Sequence, residues 1–186
     1  RRAALPEFRT EKMKRYREEY EIPDYDIEII TGSKHLADIF EETVAICKEP
    51  KKVSNWLMGE TMRLLKEQGR EPEDIVFSPG HLAELIAMTD AREINGTVAK
   101  EVFEVMFAED IDPRQYVEEK GLQTVNDAGD IKKTLEEVIA NKPQSVADYR
   151  GGKEKALGFL VGQTMKAMKG KADPGLVNQM LREMLG

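Results

Sequence analysis

Apolar residues recur three and four positions apart along almost the whole of this chain. Nowhere do they alternate with a period of two between turn signals. That spacing is the signature of helices with one buried face, and it leaves no segment that reads as a strand. Proline and glycine then cut the pattern into pieces. Leu5-Pro6 opens a charged helix to about Tyr20, with Phe8, Met13 and Tyr16 as its apolar positions. Glu21 to Asp26 breaks it at Pro23. Ser33 is a natural N-cap for a helix to about Lys48 carrying Leu36, Ile39, Phe40, Val44 and Cys47 on one side. Pro50 starts the next, which presents Val53, Trp56, Leu57, Leu64 and Leu65 and stops at Gly69. Ser78-Pro79 and Asn95 open two more, and Trp56 is expected in the core these segments share.

Asp110-Ile111-Asp112-Pro113 reads as a junction, with Asp112 capping a short helix that ends at Gly121. Asp127 is expected to cap a helix bearing Ile131, Leu135, Val138 and Ile139, and Lys142-Pro143 ends it. A short helix with Val146 and Tyr149 precedes Gly151-Gly152. A helix from about Lys153 to Lys169 follows, with Gly170 just past its end, and Asp173-Pro174 starts the last one. The expected fold is therefore all-α, as two small helical domains in series over 1–111 and 112–186. A tail of that size folds if its helices pack well.

Composition narrows the class. The chain has 186 residues, 28 Lys+Arg against 35 Asp+Glu, and a formal charge of −7. Its longest uncharged apolar run starts at Ala156 and falls well short of the ~18 residues that span a membrane. Arg1-Arg2-Ala3-Ala4-Leu5-Pro6 has no apolar core behind its charges, and no Met begins the chain; we expect a piece of a longer protein without a secretory signal. Cys47 is the single cysteine, which excludes disulfide frameworks and Cys-rich zinc sites and suits a reducing cytoplasm. The charge is uneven. Residues 1–111 hold 16 basic and 24 acidic side chains, whereas 112–186 hold 12 and 11. Within the tail, Arg150, Lys153, Lys155, Lys166, Lys169 and Lys171 face only Glu154. Such a zone matters locally because fields are screened over ~8–10 Å.

The helix 153–169 concentrates this zone. At ~100° per residue, Leu157, Leu160, Val161, Thr164 and Met168 share one face, and Lys155, Gly158, Phe159, Gly162, Lys166 and Lys169 share the other. Two glycines inside a helix are unfavourable by ~1 kcal/mol each relative to alanine, so close approach of something to the backbone is implied. A neighbouring protein helix packed on Gly158 and Gly162 would account for them, with the lysines as its rim. An RNA backbone would too: lysines supply charge, glycines supply access, and Phe159 stacks on an unpaired base. Spacing alone favours the packed helix.

The searches for catalytic and metal-binding residues return none. Gly151-Gly152-Lys153 lacks the spacing of a phosphate-binding loop. His35 and His81 lie far apart without carboxylates at ligand spacing, Cys47 sits on an apolar face, and pairs such as Glu41/Glu42 and Glu136/Glu137 diverge on a helix. The turn Lys169-Gly170-Lys171-Ala172-Asp173-Pro174 exposes two lysines, but Asp173 and Pro174 occupy the helix start that would attract an anion. The last helix carries Arg182 as its one cation, which argues against DNA reading.

Several stretches, in order along the chain, resemble one family. They are Leu5-Pro6-Glu7 with Arg15-Tyr16, Leu36-Ala37-Asp38 with Phe40-Glu41, Val53-Ser54-Asn55-Trp56-Leu57-Met58-Gly59-Glu60, Ile94-Asn95-Gly96 with Ala99-Lys100, Lys155 through Lys166, Lys169 through Pro174, and Val177-Asn178-Gln179. Together they look like the C-terminal region of the B subunit of the bacterial aspartyl/glutamyl-tRNA amidotransferases. Asp173 departs from the Asn more usual there, and both residues cap helices. The resemblance implies a helical domain followed by a YqeY-like tail. It further implies a cytoplasmic parent ligase that amidates mischarged glutamyl-tRNA(Gln) or aspartyl-tRNA(Asn) with ATP, Mg²⁺ and glutamine-derived ammonia. The chemistry would lie in another domain, so this piece needs no cofactor of its own. The implied partners are tRNA(Gln) and/or tRNA(Asn) and the A and C subunits of the amidotransferase. The resemblance also shifts the balance at Arg150, Lys153, Lys155, Gly158, Gly162, Lys166, Lys169 and Lys171 towards RNA. The rival reading is a protein-docking module of the same complex, in which the glycine face is covered.

Overall fold

The computed structural model describes residues 7–125 and 128–186, and the elements within them are helices joined by turns. The lone β feature among the described residues is an isolated parallel bridge between Val125 and Ala172. The expected all-α class is what the chain forms. The start at Leu5-Pro6 and the cap at Asp127 lie outside the described residues.

The chain divides into two compact units, one holding residues up to Asp90 and Lys100–Tyr116, the other Ala91–Ala99 and Val117–Gly186. In the first unit, α1 (Arg9–Tyr20) ends where Glu21 turns left-handed. The expected break at Glu21 to Asp26 is shorter than the sequence suggests. Pro23 stands at the N-cap of a further helix, α2 (Asp24–Thr31), whose Ile27 and Ile30 are fully buried. Asp24 and Asp26 in its first turn suit the positive end of a helix, and proline ahead of them punctuates the chain without ending helical structure. α3 (Lys34–Cys47) starts as expected, with the Leu36 N–H donating to the Ser33 hydroxyl at 3.2 Å. It packs on α2, on α4 (Pro50–Trp56) and on α6 (Pro79–Asp90). Tyr16, Tyr20 and Phe40 close this side of the core with ring centroids 5.2 Å apart. Beside them the Arg15 guanidinium bonds Glu7 and Glu41, which holds it well above its ordinary pKa.

Where one straight helix is expected from Pro50 to Gly69, a π-helical turn at Leu57–Thr61 separates α4 from α5 (Met62–Glu67). The Thr61 hydroxyl donates to the Trp56 carbonyl at 3.0 Å, satisfying an acceptor that the wider turn releases. Trp56 corrects the expectation of a core residue. It is half-buried, with its ring centroid 5.1 Å from that of Phe103 on α7 (Gly96–Glu109). The fully buried aromatics there are Phe103 and Phe107.

Asp110, read from sequence as part of a junction, is a strong local anchor. Its backbone is left-handed (φ 50°), and its carboxylate accepts the Ser78 N–H and Ser78 Oγ–H, each at 2.6 Å, with His81 Nδ1 at 2.9 Å. Burial works to raise its pKa, but the Ser78 and His81 bonds prevail and hold it below the ordinary carboxylate range. One carboxylate thus ties the end of α7 to the start of α6.

α8 (Pro113–Lys120) carries the chain from the first unit into the second and closes at Gly121. In the second unit, α9 (Ala128–Asn141), α10 (Pro143–Arg150), α11 (Glu154–Ala167) and α12 (Pro174–Leu185) form a small bundle. Ile131, Leu135, Val146, Leu157, Leu160, Val177 and Leu181 fill its core. Residues 91–99 belong to it through a bond from Thr124 N–H to Glu93 O at 2.8 Å, and Val125 N–H donates to Lys171 O at 2.7 Å.

Replacing Asp110 by Asn leaves its donors with a weaker acceptor and should destabilise the protein by ~1–3 kcal/mol at neutral pH. The native carboxylate has its lower pKa in the folded state, so its contribution is full above ~4 and fades as pH falls through the folded value. Urea unfolding of Asp110→Asn beside the native chain at neutral pH and below pH ~4 checks this: the gap should narrow on acidification.

Candidate nucleic-acid interface

The rotation of α11 is set by its buried side. Leu157, Leu160 and Thr164 are 0–2% exposed, and the Thr164 hydroxyl is satisfied by donating to Leu160 O at 2.9 Å. α9, α10 and α12 all pack around this side. The opposite side follows: Lys155, Gly158, Phe159, Gly162 and Lys166 are exposed.

The decisive detail is at the glycines. A Cβ built at Gly158 or at Gly162 would meet nothing within 4 Å. No helix of this chain, among the described residues, covers that surface, so the packed-helix explanation does not hold inside the tail. The backbone lies open between lysines.

Lys169 sits differently from its place on the helical wheel. α11 ends at Ala167; Lys169 (φ 56°) and Gly170 (φ 72°) both turn left-handed, and Gly170 N–H donates to Met165 O at 2.8 Å. This is a Schellman-type close, which carries Lys169 into the turn. Lys171 is partly buried there, and its carbonyl accepts from Val125. Asp173 caps α12 by accepting the Gly175 N–H at 2.9 Å, as expected. Lys153 is exposed at the N-cap of α11. Arg150 is turned to another use, its Nε donating to Leu185 O at the end of α12 at 3.4 Å. Glu154, the acid of the zone, pairs with Arg182 at 3.4 Å and is drawn towards the last helix rather than towards a lysine of the open face.

Sequence reasoning missed one cation. Lys142, at the N-cap of α10, reads along the chain only as the residue before a helix-starting proline. The fold brings its Nζ to 5.9 Å from the centre of the Phe159 ring, which remains 46% exposed. No local sequence signal joins residues so far apart.

Elsewhere the chemistry is sparse. His35 Nε2 meets Ile75 O at 2.8 Å, and His81 serves Asp110. Cys47 is half-buried. Among the described residues no three His, Cys, Asp or Glu side chains converge to hold a metal ion, and no helix is long and apolar enough to cross a membrane.

Fold and face together define an all-helical protein carrying an open basic helix in its second unit. Comparison with known proteins gives the family. The GatB domain model matches residues 38–185. The B subunit of the Lachnospira eligens aspartyl/glutamyl-tRNA(Asn/Gln) amidotransferase is 57% identical over 190 aligned residues, covering 99% of this chain and 39% of that protein. The corresponding protein of Agathobacter rectalis is 58% identical over 184, with 99% and 39% covered. That of Caldanaerobacter subterraneus is 48% identical over 184, with the same coverage. The chain belongs to the GatB domain family, and it spans about two fifths of the length of these relatives.

Because Gly158 and Gly162 are open, alanine at either position should stabilise the chain by up to ~1 kcal/mol through helix propensity. Thermal unfolding of Gly158→Ala and Gly162→Ala measures this. A rise in Tm fits an uncovered face, whereas a fall would mean that the surface is packed.

Proposed function

We propose that this chain is the non-catalytic, tRNA-binding C-terminal region of the B subunit of a tRNA-dependent amidotransferase. In this reading the first unit is the helical arm and the second is the YqeY-like tail that helps bind and discriminate the mischarged tRNA. The observation that carries it is the face of α11, where two glycines with nothing within 4 Å lie between exposed lysines. Phosphates need cations, and close approach of a bulky backbone needs missing side chains. The names of the relatives, aspartyl/glutamyl-tRNA(Asn/Gln) amidotransferases, supply the RNA class.

The parent reaction is carbon–nitrogen ligation with glutamine as amido donor. ATP and Mg²⁺ would serve it in a part of the enzyme outside this chain. The A and C subunits of the amidotransferase are the proposed protein partners, in the cytoplasm. The tail would hold the tRNA by its shape and backbone, and affinity would come from several linked sites of the complex. Protein docking through the same glycine face is the second reading. The same openness favours it, but it assigns no role to the lysines beyond a rim.

The test is binding of the chain to tRNA(Gln), tRNA(Asn) and a non-cognate tRNA at low and moderate salt. Lys155, Lys166 and Lys169 changed together to Glu should abolish salt-sensitive binding. Changed to Ala, they should flatten the log–log salt slope by roughly 2–3. Binding indifferent to both variants would favour the protein-docking reading.

A further inference from the structure

Phe159 stands out on the α11 face. It is a large apolar side chain left 46% exposed, it lies beside the two bare glycines, and it has a cation from the junction of α9 and α10 above its ring. Exposed aromatic rings are unfavourable in water unless something covers them, and here the Lys142 ammonium at 5.9 Å does so in part. That Lys142 makes no ion pair with any described carboxylate leaves its charge available to a ligand. A ring still 46% exposed, with an ammonium 5.9 Å from its centre, matches the two chemical halves of one nucleotide, its flat base and its phosphate.

Resting on the tRNA-binding reading above, we propose that Lys142 and Phe159 form a subsite for a single unstacked nucleotide of the RNA. The base stacks on the Phe159 ring, and the adjoining phosphate takes the Lys142 ammonium. Gly158 and Gly162 let the strand come down to the helix at this point. The occupant must be unpaired, because bases inside a duplex have both faces covered by their neighbours. The lysines at 155 and 166 would follow the backbone whatever its sequence. The Lys142–Phe159 pair would make the tail sensitive to a loop, bulge or end, and so to the shape of the RNA rather than to its charge alone.

The subsite separates from the general basic face by substitution. Phe159→Leu keeps an apolar residue of similar bulk on an exposed position and removes the π surface. Loss of one base–aromatic stack should weaken tRNA binding roughly tenfold. Binding to a fully paired RNA duplex of similar length should not change, and neither should the salt slope for tRNA. Phe159→Trp should restore or exceed native tRNA affinity. Lys142→Gln should weaken tRNA binding and lower its salt slope by roughly one. Circular dichroism of each variant establishes that the helices persist. If Phe159→Leu binds tRNA like the native chain while the triple lysine variant has lost it, the tail binds RNA but the subsite is wrong. If Phe159→Leu weakens tRNA and duplex equally, the stacking proposal is likewise overturned. If the triple lysine variant also binds unchanged, the underlying tRNA-binding reading fails with it.

Discussion

The open glycine–lysine face depends on one constraint, the rotation of α11 about its own axis. Leu157, Leu160 and Thr164 must be buried, and a helix has no freedom to bury them while hiding Lys155, Gly158, Gly162 and Lys166 as well. Burying an apolar side chain is worth ~1.5–3 kcal/mol, so turning the helix to cover the glycines would expose more than it gained. The core residues of the tail thus determine which backbone is laid bare, although none of them needs to touch a ligand.

Electrostatics reinforces this division. The chain as a whole is acidic, and a uniform distribution of its charge would repel RNA. Many of the acidic residues of the first unit are engaged in pairs, such as Glu60, Glu67 and Glu104 around Arg63 and Asp90 with Lys52. In the second unit the order is reversed, with the cations on α11 outward and Glu154 drawn to Arg182. Exposed pairs of this kind add little to stability individually. Their consequence here is where charge is left uncompensated.

Much of this was legible in the sequence, for identifiable reasons. Periodicity defined the helices because it is a local property, and the caps at Ser33, Asn95 and Asp173 follow from the chemistry of their side chains. The apolar and polar sides of α11 came from the same arithmetic. What was missed depends on tertiary contact or on backbone detail. α2 hid behind Pro23, which marks a helix start as readily as a stop. The π turn at Leu57–Thr61 has no periodic signature, and Trp56 just before it is half-buried rather than in the core. Lys169 left the helical face because the chain turned one residue earlier than Gly170 suggested. Asp110 and Lys142 gained their roles from partners 29 or more and 17 positions away, respectively. Whether the glycines were covered could be decided only by the packing of the bundle.

In the proposed reading, the glycine–lysine side of α11 faces the RNA. The most direct measurement is amide chemical-shift mapping of the chain titrated with tRNA at low salt. The Gly158 and Gly162 amides and their neighbours Lys155, Phe159 and Lys166 should respond first and most strongly, and added salt should reverse the change. Perturbations confined to other helices, with these five amides unmoved while tRNA binds, would contradict this reading.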